Sequence, residues 1–279
     1  MARAGIEYAV YELLEAQNSF RQSQEMELPG LEPSVPQVLR GGVSLNLGDG
    51  SADVAVLDES GKINLNLAPD NLIYNVLLMT GVPGQLADII TDSIGDWVDP
   101  DDLPRPFGAE RDYYLSLESP YQIKNGLFDV PEELLLVQGV TPEIYYGRKT
   151  VNSNGEAVEL YGMQYFFTTF TNANRIDVNA APVVVLAAIP GLDFQTALAI
   201  DRLRSQEPFR DPVEVEQSMP GIGAEALGFL GVVRSGVYTI DSLGRVDGSQ
   251  VVSRIRTVVR VGGGRKGYSV AYWNESNME

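Results

Sequence analysis

The stretch "KINLNLAP" at residues 62–69 returns as "RIDVNAAP" at residues 175–182, a constant offset of 113. Each copy leads into an apolar run with helical spacing, then a Gly-containing turn, then a second helix. The turns are Thr80-Gly81-Val82 and Pro190-Gly191-Leu192. Further along, each copy has a Phe, an acidic helix and a Gly-hydrophobic turn: Phe128 to Gly139-Val140, and Phe209 to Gly221-Ile222. Self-similarity of this kind marks an internal duplication. The repeated unit reads as a helix-hairpin-helix, with Gly191, Gly221 and Gly223 allowing tight turns between packed helices. Leu186, Ile189, Leu198 and Ile200 read as core. The copies differ mainly by a long insert in the first.

The flanks follow other periods. "VSLNLGDG" (43–50) and "ADVAVLDESGKINLNL" (52–67) alternate apolar and polar residues, with GDG and ESGK turns, and predict a small antiparallel sheet. The tail alternates too: Val251, Ile255, Val259 and Val261 sit among Arg and Ser, with turns at GRVDGS and GGGRKG, predicting a three-strand meander. "APDNLIYNVLLMTGVPGQLADIITDSIGDWV" (68–98) predicts two helices, "VPEELLLVQGVTPEIYYG" (130–147) a helix–Gly–helix, and "YGMQYFFTTFT" (161–171) a strand. Residues 25–42, broken by Pro and Gly, read as a connector. Ahead of it, "MARAGIEYAVYELLEAQNSFRQ" enters an amphipathic helix at once, with Ile6, Val10, Leu13 and Leu14 on one stripe and no cap before it. So abrupt a start reads as the remainder of a longer helix.

Composition removes several function classes. The 279 residues carry 20 basic and 38 acidic side chains, a formal charge of −18, with no cysteine and no histidine. Zinc and iron–sulfur sites, thiol nucleophiles and Ser-His-Asp triads lose their usual residues. Phosphate backbones and anionic lipids need Lys and Arg, so nucleic acid is not an expected partner. Around the hairpins stand Asp193, Asp201, Glu214, Glu216 and Glu225, which oppose a phosphate further. No apolar run of about 18 residues predicts a membrane span.

The insert holds the chemistry. "GDWVDPDDLPRPFGAERDYY" (95–114) packs six carboxylates, Asp96, Asp99, Asp101, Asp102, Glu110 and Asp112, around three prolines. Counted from Asp99, Asp101 and Glu110 fall at EF-hand positions 3 and 12, but Leu103 and Pro104 occupy positions 5 and 6, where a ligand and a Gly belong. This is no EF-hand. Gathering carboxylates without a cation costs repulsion or raises their pKa values. Three readings stay open: a Ca²⁺ site, a solvated acidic loop, or a carboxylate pair of a carbohydrate hydrolase. Tyr113 and Tyr114 are expected to pack beneath the loop.

The segments "ARAGIEYA", "DESGKINLNLA", "IGDWVDPDDLPRPFGAERDYYLSLESPYQIKNGLFDVPEELLLVQGVTPEIY" and "RIDVNAAPVVVLAAIPGL" together resemble protein K of the type II secretion system, the large minor pseudopilin family. That resemblance implies an α+β fold: a pilin-like N-terminal helix on an antiparallel sheet, with a large inserted helical domain holding two helix-hairpin-helix (SAM-like) units. It implies a pilin-like part at 1–61, the inserted domain at 62–230 and sheet-completing strands at 231–279. The implied role is non-enzymatic: capping the pseudopilus tip in the periplasm, with minor pseudopilins I and J as partners. Family members are anchored in the inner membrane by an apolar segment that this sequence lacks. The resemblance also implies calcium, with Asp99, Asp101 and Glu110, and with them Asp96, Asp102 and Asp112, as ligands.

Overall fold

The computed structural model describes residues 1–25, 39, 41–151, 155, 157–233, 235–262 and 266–278. Most of the expected connector, 26–38 and 40, lies outside them. Helix α1 (Ala2–Glu25) is followed by strands β1 (Val43–Asn46), β2 (Gly50–Asp58) and β3 (Ile63–Asn64) and helices α2 (Asp70–Met79), α3 (Gly84–Val98), α4 (Arg111–Leu115) and α5 (Pro142–Tyr146). Then come β4 (Gly147–Val151), β5 (Ala157–Tyr161), β6 (Phe167–Thr168), β7 (Ile176–Asp177) and helices α6 (Val183–Ala188), α7 (Phe194–Gln206), α8 (Pro212–Ser218) and α9 (Ala224–Phe229). Strands β8 (Leu230–Gly231), β9 (Val237–Val246), β10 (Val252–Val261) and β11 (Tyr268–Met278) complete the order. The chain divides into two units, Met1–Glu59 with Ser235–Glu279, and Ser60–Arg234.

The first unit is α1 laid on an antiparallel sheet ordered β1-β2-β9-β10-β11. Alternation selects the buried face: Ala52, Val54 and Val56 of β2, Ile240 of β9, and Ile255, Val259 and Val261 of β10 meet Ala2, Ile6, Ala9, Val10 and Leu13 of α1. Leu14, expected on the same stripe, is half-buried at its margin. Small residues let the layers approach closely. A Cβ on Gly5 would stand 2.3 Å from Ser242 Oγ, and one on Gly244 would stand 2.1 Å from the Ala2 nitrogen.

The second unit is helical, and its two copies fold alike. Strand β3 pairs in parallel with β6, as β7 does with β8. Asn66 Nδ2 donates to Phe128 O and the Phe128 N–H donates to Asn66 Oδ1; Asn179 and Phe209 repeat this two-way clasp. Across the copies, Asn75 Nδ2 donates to Ala188 O at 2.8 Å, a pair 113 residues apart. Turn glycines Gly81 and Gly191 take φ of 83° and 85°, open to glycine without strain. Gly223 instead has an ordinary φ of −70° at the N-cap of α9.

Two local expectations need correction. Residues 62–67 do not return along the small antiparallel sheet: Lys62 to Leu65 are buried and β3 belongs to the helical unit. The run 161–171 is mostly not strand, although its aromatic and β-branched residues favour one, and Phe166 and Phe167 are both buried. It forms a 3₁₀ turn at Met163–Tyr165 and the short β6. The first helix of the expected helix–Gly–helix is a 3₁₀ helix, Pro131–Leu136.

Candidate metal centre

Helix α3 carries Ile90, Ile94 and Trp97 into the core and brings Asp96, on its last turn, in with them. Asp99 caps its C-terminal end. The chain then runs "DDLPRPFG", where Pro104 and Pro106 remove alternate N–H groups. The amides left are those of Leu103, Arg105 and Phe107. They donate in turn to the carboxylates of Asp101 (2.9 Å), Asp96 (3.2 and 3.3 Å) and Asp92 (3.0 Å), stitching the loop to the end of α3. Glu110 follows as the N-cap residue of α4, and Tyr114 of that helix anchors the return. Tyr114 is fully buried, edge-on to Trp97 at 5.7 Å, while Trp97 stacks on Phe128 at 6.1 Å. Tyr113, expected below the loop as well, is exposed.

Of the six carboxylates, three converge: one oxygen each from Asp96, Asp99 and Glu110 lie within 4.8 Å of one another. Asp96 is 0% and Glu110 5% exposed. Asp101 and Asp102 are exposed and lie outside the trio, as does Asp112 in the first turn of α4. Burial pushes the Asp96 carboxyl above the usual range, with the Arg105 amide opposing and Asp99 adding to the rise. Glu110 is pushed up to about 7, by burial first and then by the charges of Asp96, Asp99, Asp102 and Asp101. Both oxygens of Glu110, and Oδ1 of Asp99, are buried without a hydrogen-bond partner. Unpaired buried acceptors are costly. A hard cation would satisfy all three at once, and an all-oxygen donor set with no Cys or His suits one. Asp96, wholly buried, offers no surface to a sugar and so is unsuited to a hydrolase carboxylate pair.

Some participants were not apparent from residue types alone. Arg105 lays its guanidinium between the site and α2: Nη1 is 2.8 Å from Asp70 Oδ2, and Nε is 3.7 Å from Asp96 Oδ1. Asn125, at φ of 44°, donates from Nδ2 to Asp101 O (3.0 Å) and Asp102 Oδ1 (3.1 Å). The next amide, Gly126, donates to Trp97 O at 3.1 Å. The Asn-Gly dipeptide was the available signal, since it favours such a backbone. At Gly108 an added Cβ would stand 1.9 Å from Asp96 Oδ2, so glycine is required by close approach.

Comparison with known proteins agrees with this architecture. Residues 57–147, which include the acidic loop, match the family described as type II secretion system (T2SS), protein K. Type II secretion system protein K of Pseudomonas aeruginosa is 27% identical over 187 residues, covering 63% of this chain and 51% of that protein. The protein of the same name from Pectobacterium carotovorum is 34% identical over 74 residues, covering 26% of this chain and 23% of the relative. The chain thus spans from about a quarter to about half the length of these relatives. In fold it is similar to a chain of the GspK-GspI-GspJ complex from the type 2 secretion system of enterotoxigenic Escherichia coli. The TM-score is 0.63 at 16% identity, covering 98% of this chain and 96% of that one. Around its acidic loop the chain is thus similar to type II secretion system protein K, and over nearly all its length it shares the fold of a chain of the GspK-GspI-GspJ complex.

Proposed function

We propose that this chain is a non-enzymatic minor pseudopilin that caps the tip of the type II secretion pseudopilus, assembling there with minor pseudopilins I and J. The supporting observation is the likeness, over 98% of the chain, to a chain of the GspK-GspI-GspJ complex. Helix α1 on its antiparallel sheet fits the pilin-like frame that the resemblance implies, and the large helical unit of residues 60–234 adds the bulk that suits an end piece over a repeating subunit. The reading places the chain in the periplasm, anchored to the inner membrane as the resemblance implies. No described helix here is itself long and apolar enough to cross a membrane. Mixing the chain with pseudopilins I and J should give a ternary complex on gel filtration; separate elution of all three would refute the assignment.

Calcium belongs to the same proposal. Asp96, Asp99 and Glu110 would hold the ion, which would neutralise their mutual repulsion and tie the loop 99–110 to the end of α3. The role is structural: it fixes the helical unit and carries out no reaction. Metal analysis of the purified chain and a thermal melt with and without chelator test it. An unchanged melting temperature and no bound calcium would exclude the ion. The acidic helix termini support the absence of nucleic acid, since Asp193 and Asp211 already cap α7 and α8 where a phosphate would sit.

A further inference from the structure

Among the described residues, β11 is the last strand of its sheet: β10 pairs with one side of it over ten positions, and no described strand pairs with the other. The opposite margin, β1, is blunted by being four residues long. Strand β11 has eleven residues, "YSVAYWNESNM", with no Pro, Lys or Arg and a single charge at Glu275. Proteins normally protect so long an edge, because its free N–H and C=O groups template another strand. The side chains beside it are unprotected too. Val270 lies opposite Val259, and Trp273 opposite Thr257, on the face that α1 covers over β9 and β10. Yet Val270 is 50% and Trp273 40% exposed. Arg3 of α1 stands over the Trp273 ring at 5.7 Å, marking where the helix ends its cover.

We propose that the outer edge of β11 is a strand-pairing interface for an extended segment of a different polypeptide. The incoming strand places alternate apolar side chains against Val270 and Trp273 and a basic side chain at Glu275. Main-chain hydrogen bonds supply the affinity, and these side chains supply the register. A second copy of this chain is a poor occupant, since each copy carries −18 and would set its own Glu275 into the joint. The surface deepens the assembly reading by giving one partner a place to dock, and rests on that reading only for the partner's identity.

The test uses the whole chain and a synthetic peptide of alternating valine and threonine. The peptide matches the eleven residues of β11, with a lysine set for Glu275 and N-methyl groups on its outer edge to prevent self-pairing. Binding should shift Trp273 emission to shorter wavelength in a saturable way, over a constant background from buried Trp97. It should also slow amide exchange across residues 268–278. Val270→Lys, shown folded by circular dichroism, should weaken binding about tenfold. Absence of both signals, or a chain that alone sediments as a dimer with 268–278 protected, would overturn the proposal. If a complex with pseudopilins I and J forms while 268–278 exchange as in the free chain, the docking surface falls and the assembly reading stands. If the peptide binds and pseudopilins I and J do not, the reverse holds.

Discussion

Glu110 is the residue at which the acidic site costs most in the absence of metal, with two buried acceptor oxygens unpartnered and its carboxyl pushed up to about 7. The folded chain therefore binds this proton more tightly than the unfolded chain, whose glutamate titrates near 4.5. The penalty for ionising it is absent below about pH 4.5, grows toward about pH 7 and is complete above it. Glu110→Gln removes that charge. In chelator at about pH 8 the variant should melt about 2–5 °C higher than the parent, and the calcium-dependent rise should shrink or vanish. A variant that melts lower in chelator and keeps its calcium response would contradict this account of the trio. Gly108 offers a steric counterpart. Gly108→Ala drives a methyl into the Asp96 carboxylate, and should cost about 1–3 kcal/mol in a denaturant melt while abolishing the calcium response. That the loop was chemically special could be read from residue types. Which carboxylates meet could not, because the choice depends on Pro104 and Pro106 rationing the amides that turn the loop.

At the level of elements, the duplication carries the helical unit. Its clasps, Asn66 with Phe128 and Asn179 with Phe209, each tie a post-strand turn to a distant backbone. Removing either asparagine strands one N–H and one C=O in a half-buried place. Asn66→Ala and Asn179→Ala should each cost about 1–3 kcal/mol, measured by urea unfolding. A cost near zero for one of them would mean that the copies are not held alike. These asparagines were visible as aligned letters in "KINLNLAP" and "RIDVNAAP", and so were the phenylalanines. The erring readings were 62–67 and 161–171. Alternation at 62–67 fits a strand that returns to its neighbour as well as one that leaves it, and the aromatic and β-branched content of 161–171 is a preference that tertiary packing overrides.

Over the whole molecule, a net charge of −18 makes self-repulsion a general load on the folded state. The metal-free chain should gain stability as sodium chloride is added, and on going from about pH 8 to about pH 5.5, where Glu110 takes up its proton. Saturating calcium should flatten the pH dependence, as read by calorimetry across that range. A pH profile unaffected by calcium would dissociate Glu110 from the ion. Spacing along a few turns or strands is enough to read the duplicated helical pairs, the alternating tail, the apolar stripe of α1 and the acidic insert from the residues. Only the folded chain pairs β2 with β9 across nearly 190 residues and brings Asp96, Asp99 and Glu110 together while Asp101, Asp102 and Asp112 stay exposed. Partners so distant in the chain, and the desolvation that sets a carboxylate's cost, follow from how surfaces are buried together, which local spacing does not encode.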